Sequence, residues 1–464
     1  MRNTTYRNYL LAVLTVIALF NYVDRTALGL VLQNIKTDLQ LSDTQLGFLS
    51  GIAFALFYSV MGVPIARWAD RGNRMTIITL TTALWSVAVA LCGVATSFTQ
   101  LLLTRVAVAV GEAGCIPPAF SLIADYFNRG ERPRASAIYG LAGVFSAVIG
   151  YFVAGWLNEF YGWRVTFVCM GAPGVALALL AWSTLREPRR QLTTASGGGQ
   201  GLLATGVPQQ PSLKEVRVTL WRSRTFVHLQ LCLAVMYFFN YGIGQWLPSF
   251  FVRSYGLSTG VLGTWFTVIV APAGALGMYL GGEWASRRGA NNESLQLKVV
   301  AVAIIVAGAL MVPAYLTHNM YLSFLLMALS SVGLAIANGP VFATIQTLIP
   351  ERMRAVAFAI VYLTANLVGM GLGPLAAGVL SDFFREWAGQ ESLRYSLLAL
   401  VPGYSWVGWH AWQASRSVAR ELASVPSAAS AAASRGEVYQ NEDAMDEKTA
   451  AAARSSQRIG SAGR

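Results

Sequence analysis

The chain has 464 residues, 34 of them Lys or Arg and 22 Asp or Glu, for a formal net charge of +12. Charged side chains make up 12%, about half the ~25% of a soluble protein, while apolar residues make up 55% and mean hydropathy is +0.50. A soluble domain cannot hide that much apolar surface, so a soluble enzyme, a disordered chain and a nucleic-acid binder are set aside.

A membrane crossing needs about 20 mostly apolar residues. Twelve such stretches occur in chain order, roughly 9–31, 44–66, 75–96, 99–124, 134–159, 164–185, 226–252, 258–282, 296–316, 320–347, 354–380 and 393–414. The first follows Arg2 and Arg7 like a signal peptide. However, it lacks a small-residue cleavage site and resumes beyond Asp24-Arg25, so it reads as a retained helix. Residues 186–224 form the longest internal connection, Gly/Ser/Gln/Pro-rich at its centre, and read as a flexible linker. Residues 416–464 carry too few large apolar groups to fold alone. The expected architecture is all-α, with an N-terminal six-helix bundle over 1–185, a linker over 186–224, a C-terminal six-helix bundle over 225–415 and a disordered tail over 416–464.

Basic residues set the expected orientation. With both termini on one side, only Lys36, Arg164, Arg253, Arg385 and Arg394 fall on the other, and Arg25 and Arg105 lie inside spans. All remaining Lys and Arg sit on the side of the termini, which places both ends and the linker in the cytoplasm of a bacterial inner membrane.

The halves repeat. Ala66-Arg67-Trp68-Ala69-Asp70-Arg71 after span 2 matches Gly282-Glu283-Trp284-Ala285-Ser286-Arg287 after span 8. Glu131-Arg132-Pro133-Arg134-Ala135-Ser136-Ala137 after span 4 likewise matches Glu351-Arg352-Met353-Arg354-Ala355-Val356-Ala357 after span 10. Repeats of this kind place a substrate site at their interface and open it by rocking. With Asp70-Arg71-x-x-Arg74, the sequence resembles the major facilitator superfamily, although Ala66 and Asn73 stand where glycines are usual. Asn73, Asn21-Tyr22-Val23-Asp24-Arg25, Gly111-Glu112-Ala113 and Ala124-Asp125-Tyr126-Phe127 are similar to the spinster-like subgroup. So are Gly162-Trp163-Arg164, Asn366-Leu367-x-Gly369 and Ser392-Leu393-Arg394-Tyr395. The resemblance implies alternating access and, since spinster-like members include sphingolipid and lysolipid transporters, an amphipathic substrate.

Charges at membrane depth are costly and mark function. At 1.5 Å per residue, Asp24 lies about 10 Å inside the far end of span 1 and Arg105 about 9 Å inside that of span 4. They share a level, and in the resembled fold both spans line the cavity. A carboxylate beside a fixed Arg is ionised when paired and releases it when protonated, which makes Asp24 and Arg105 a proton-operated switch; a permanent structural pair is the alternative. Glu112, two turns deeper than Arg105 on the same face, is expected to receive the proton or meet a head group, or else to make a helix-packing hydrogen bond beside Gly111 and Gly114. Asn21 and Arg25 are candidate substrate contacts, Arg25 alternatively holding a neighbouring helix. Arg105 is the cation available to an anionic head.

Tyr237, Asn240, Tyr241 and Gln245 form a polar-aromatic stripe on span 7, suited to an amphipath, though such stripes also simply pack. Asn338 and Asn366 are weaker candidates of the same kind. Asp70, Arg71, Arg74 and Asp125 are expected to form a cytoplasmic gate, with Arg129, Arg132 and Arg134 as further partners. Gly256-Leu257-Ser258-Thr259-Gly260 spells G-x-S-x-G but lies on no strand-to-helix elbow and has no placed histidine, so it marks no hydrolase. No P-loop, metal-ligand set or disulfide framework is legible, and no cofactor or metal is expected. The expected protein is a monomeric, proton-coupled secondary transporter of a lysolipid- or sphingoid-like molecule. A small-organic-anion symporter is the nearest rival.

Overall fold

The computed structural model of the chain describes residues 4–128, 130–187, 213–350 and 353–424, leaving aside the side chains of Asp70, Pro133, Val144, Leu213 and Ala355. Arg129, most of the connection between the halves and the tail beyond Ser424 lie outside the described residues. Ten helices among the described residues are long and apolar enough to cross a membrane. Two of these, Arg134–Thr184 with 51 residues and Val356–Ala423 with 68, are each more than twice the length of one crossing. The first turns at Gly162, whose φ of +78° is open to glycine without strain, and the second at Gly389, with φ +55°. Each is therefore two crossings, and the expected twelve are present.

Span 1 is Thr4–Leu39 and span 2 is Asp43–Ser50 continued by Ile52–Arg71. Span 3 is Arg74–Cys92, and span 4 is Phe98–Glu112 continued by Ile116–Tyr126. Spans 5 and 6 lie within Arg132–Thr184, on either side of Gly162. Span 7 is Arg224–Tyr255 and span 8 runs from Thr259 through Arg287. Span 9 is Glu293–Leu316 and span 10 is Met320–Ala335 continued by Asn338–Leu348. Span 11 runs from Arg354 through Ala388, and span 12 from Ser392 through Leu400 and then Pro402–Ser424.

Polar residues between the apolar stretches start these helices. Ser42 and Gln45 make a reciprocal capping box on span 2, and Asn73, Ser97, Ser223, Asn292 and Asn319 cap spans 3, 4, 7, 9 and 10 by accepting from a backbone N–H. Asn73, which departs from the usual glycine, thus serves as a helix cap, its Oδ1 accepting from Thr76 N at 3.1 Å. Gly256 of the G-x-S-x-G string closes span 7 in the left-handed conformation, φ +67°, and Ser258 is the first residue ahead of span 8. The string is a helix–helix turn.

Several expected boundaries move, span 11 for example ending at Ala388 rather than near 380, and three of the changes have a plain packing cause. Span 1 continues to Leu39 rather than ending near residue 31, because Leu32 and Ile35 are fully buried and keep the helix docked. Within the expected linker, Leu213–Arg222 is helical, since Val216 and Leu220, one turn apart, are buried against the bundle. Span 12 runs to Ser424 because Val418 is buried and Glu421 is tied to the start of span 7.

Spans 8 and 11 each contain a π-helical segment, Phe266–Val270 and Ala365–Leu372, followed by Pro272 and Pro374. Such widened turns recur at functional sites. The first packs on span 5 and the second on span 2, so both lie at the junction of the halves.

The apolar core divides unevenly. One continuous cluster unites the C-terminal half with the part of the N-terminal half furthest from the termini, through Val31, Ile35, Leu46, Trp246, Phe250 and Phe251. A second cluster, built on Leu10, Leu14, Ile17, Leu122 and Tyr126, belongs to the N-terminal half alone, on the face carrying the termini. The halves share a core at one face and are packed separately at the other.

Candidate transport site

Spans 1 and 4 place four charges together. Arg105 Nη1 donates to Asp24 Oδ2 at 2.6 Å, and each side chain is 2% exposed. The expected shared level is therefore a direct contact. Because span 1 is longer than expected, Asp24 lies deeper below its far end than the sequence alone placed it. Arg25, about 100° round the helix from Asp24, donates from Nε at 2.9 Å and Nη2 at 2.7 Å to Glu112 Oε2. Glu112 is fully buried, whereas the Arg25 side chain is 21% exposed. The two pairs cancel in charge, which makes four ionic groups tolerable at this depth; a buried charge left alone would cost about 3–5 kcal/mol.

This arrangement sharpens the expectations for both pairs. Arg25 does hold a neighbouring helix, span 4, and it does so as the counter-ion of Glu112. Glu112 makes a helix-to-helix hydrogen bond, as its packing alternative expects, but on a different face from its neighbouring glycines. Gly111 packs on Trp85 and Gly114 on Thr81, both of span 3, while Glu112 reaches span 1. The cation reachable by an anionic head also changes: Arg105 is enclosed and held by Asp24, and Arg25 is the partly open one.

Aromatic rings surround Arg25. Its guanidinium carbon lies 4.9 Å from the Phe54 and Tyr58 ring centres and 5.4 Å from that of Tyr22, within cation–π range. The guanidinium carbon of Arg105 lies 5.3 Å from the Phe54 ring centre, so one ring serves both cations. Arg25 Nη1 also lies 3.9 Å from Met370 Sδ in the π segment of span 11, so the guanidinium reaches across to the other half. Asp24 Oδ1, Glu112 Oε1 and Asn21 Nδ2 are buried and make no hydrogen bond to the described protein. Each carboxylate thus keeps one oxygen engaged by arginine and one unengaged.

The stripe on span 7 divides. Tyr237 and Tyr241 pack on each other, ring centres 5.7 Å apart, and Tyr237 lies against Gly369 of span 11. Gln245 packs on Gly29 of span 1, its Nε2 without a partner among the described residues. Asn240 turns instead into a cavity of about 270 Å³ lined by the C-terminal half and by Tyr151 of span 5, where Asn338, Ser330 and Ser331 also lie. Asn338 donates to Ala335 O at 3.3 Å, and Asn366 is half-buried in the π segment of span 11. One helical face cannot serve both directions, because Asn240 and Tyr241 are adjacent and about 100° apart.

On the face carrying the termini, Arg74 is fully buried and bridges Asp125 at 2.7 Å and Glu187 at 2.5 Å, with Ser121 accepting at 2.8 Å. Two members of the expected gate, Arg74 and Asp125, therefore meet. Arg71 is exposed, and the Asp70 side chain and Arg129 lie outside the described residues. Arg132 donates to the carbonyls of Phe127 and Ala124 and so caps span 4, and Glu131 pairs with Arg7 at 2.8 Å. These contacts join spans of the N-terminal half to each other.

The opposite face is where the halves are latched. Asp43, fully buried at the start of span 2, accepts from Arg253 Nη1 and Nη2 of span 7 at 2.7 and 2.6 Å, from Ser381 of span 11 at 2.7 Å and from Lys36 at 2.5 Å. Asp382 returns the contact by accepting from the backbone N–H groups of Asp43 and Thr44 at 3.1 and 2.7 Å. Asn158 of span 5 donates to Thr259 of span 8 at 2.9 Å, and Arg253 Nε donates to Gln33 at 2.6 Å. A methyl group at Gly47 would lie 2.4 Å from the Pro374 carbonyl oxygen, so the backbones themselves touch. Sequence reasoning missed Asp43, Arg253, Asp382 and Glu187. The available signal was that Lys36 and Arg253 are two of very few cations on a sparsely charged face, next to an Asp at a helix start.

Two six-helix halves joined at one face agree with what the chain is similar to. Residues 14–387 match the Major Facilitator Superfamily. The chain belongs to that superfamily. A member of this superfamily is a secondary transporter of small molecules and not an enzyme. A crystal structure of a bacterial homologue of the human lysosomal transporter Spinster, in an inward-facing and unoccupied conformation, is similar at 30% identity. It superposes with a TM-score of 0.81, covering 90% of this chain and 99% of that one. An MFS-type efflux pump of Mycolicibacterium smegmatis is 31% identical over 88% of this chain and 93% of its own length. A probable L-galactonate transporter of Escherichia coli is 26% identical over 79% of this chain and 81% of its own. The superfamily fold accounts for the two six-helix halves and their shared interface.

Proposed function

We propose that this transporter couples substrate movement to protons at Asp24 and Glu112 and carries an amphipathic, lipid-like molecule. The observation that carries the coupling is the buried Asp24–Arg105 contact, with the Arg25–Glu112 pair beside it. A proton taken at the unengaged Oδ1 of Asp24 neutralises the carboxylate and weakens its hold on Arg105. Arg105 is then left charged at depth, which favours transfer of its attraction to Glu112 or to an incoming anionic group. The neutral four-charge network thus has a second arrangement, and protonation biases the choice between them.

For the substrate, Tyr22, Phe54, Tyr58 and the Tyr237–Tyr241 pair supply aromatic surface around Arg25. A tail is buried against such surface, and the partly open guanidinium meets an anionic head. The likeness to a Spinster homologue and to an efflux pump supports this reading. The rival, symport of a small organic anion, is supported by the likeness to a probable L-galactonate transporter and by the same Arg25. The two differ in what a longer tail does to binding.

Both termini and the connection between the halves are assigned to the cytoplasm of a bacterial inner membrane by the distribution of Lys and Arg. On that assignment, the Asp43 latch closes the outside and the separately packed face opens inward. Transport into proteoliposomes of a homologous acyl series, with and without an imposed pH gradient, tests the whole reading. Gradient-driven accumulation that rises with chain length is expected. Accumulation of a short organic anion alone would replace it with the rival.

A further inference from the structure

A second cavity, remote from the charge network, opens on the face carrying the termini, between the beginning of span 7 and the ends of spans 10 and 12. It holds about 610 Å³. Its floor is apolar, with Leu220 and Phe226 each 3% exposed and Ile349 2%. Its rim carries Arg222, Arg224 and Arg420, all exposed and, among the described residues, without an ion pair or hydrogen bond. The one carboxylate at the rim among the described residues, Glu421, is engaged in capping: Oε1 accepts from Thr225 N at 3.1 Å and Oε2 from Ser223 Oγ at 2.5 Å. Three arginines that make no ion pair among the described residues outnumber the one capping carboxylate over an apolar floor, at the edge of a membrane-spanning bundle, and match a phosphate joined to an acyl chain. They do not match an acidic peptide, which would have no use for the floor, or free phosphate, which would not need it. The short helix Leu213–Arg222 forms one wall and exposes Trp221 beside the cavity, a side chain suited to the headgroup level.

We propose that this cavity is a binding site for an anionic phospholipid, with its phosphate on Arg222, Arg224 and Arg420 and an acyl chain along Leu220, Phe226 and Ile349. Basic pockets between spans bind anionic head groups by the same combination of charge and apolar wall. The site shares no residue with the charge network, and on span 7 its Arg224 and Phe226 lie about three helical turns before Tyr237.

The test is lipid retention by the full-length purified protein, read by native mass spectrometry after equilibration with equal amounts of phosphatidylglycerol and phosphatidylcholine. At least tenfold preferential retention of phosphatidylglycerol is expected, falling to near parity in the triple variant Arg222→Gln, Arg224→Gln, Arg420→Gln. The triple Lys variant should keep most of the preference and controls for folding. Equal retention of both lipids by the unmodified protein, or undiminished preference in the Gln variant, overturns the proposal. Inorganic phosphate at millimolar concentration should fail to displace phosphatidylglycerol; displacement would mean that the rim takes phosphate without the chain, and would also overturn it.

Discussion

Replacing Asp43 by Asn should shift this transporter away from the conformation seen here. Asp43 is fully buried and joins the halves through two bonds from Arg253 and one from Ser381. Asn retains one acceptor oxygen but no charge, leaving Arg253 and Lys36 facing each other across a neutral group. Removing one partner of a buried pair costs about 3–5 kcal/mol, and the cost falls on the latched state, because separation hydrates these groups. Taking about 3 kcal/mol, the ratio of latched to unlatched molecules drops by roughly a hundredfold, since each 1.4 kcal/mol is a factor of ten. A state present in one molecule per hundred would become about as common as the latched one. Spin labels at Gln40→Cys and Gln390→Cys, exposed residues of the two halves that border one cavity at this face, report the separation by pulsed dipolar spectroscopy. Cys169, the native cysteine that is not buried, is first changed to Ser. A long-distance population at least ten times that of the unmodified latch is expected. An unchanged distance distribution in the Asn variant would refute the latch and the arithmetic built on it.

Asp24→Asn should abolish accumulation driven by a pH gradient while leaving substrate binding and exchange measurable in proteoliposomes; gradient-driven uptake at the normal rate would remove Asp24 from coupling. Arg25→Gln leaves Glu112 buried without its counter-ion and should lower the unfolding midpoint, at about 3–5 kcal/mol in free energy. Adding Glu112→Gln should restore most of that loss, and strictly additive losses would show that the two are not a pair. Affinity for a homologous acyl series, measured by titration, should rise by about 0.8 kcal/mol for each CH₂ desolvated, and a flat series points to the organic-anion rival. A thiol reagent applied outside intact cells should label a cysteine at position 390 and spare one at position 200; the reverse pattern inverts the assigned topology.

The spans, their number and their division into two halves were legible in the sequence, because crossing hydrocarbon requires an unbroken apolar stretch of fixed length, a property of the chain taken one segment at a time. The common level of Asp24 and Arg105 was legible for the same reason: helical rise converts residue number into depth. The tertiary structure decided which charges meet. Arg25 with Glu112, Asp43 with Arg253, and Arg74 with Glu187 are pairs distant in the chain, and each depends on how a helix is turned about its own axis. One residue is a rotation of about 100°, so a stripe that looks continuous on span 7 divides between Tyr241 and Asn240 once neighbouring helices fix the angle. That angle is set by close packing between spans, at contacts such as Gly47 on Pro374 and Gly369 on Tyr237, and hydropathy carries no record of it.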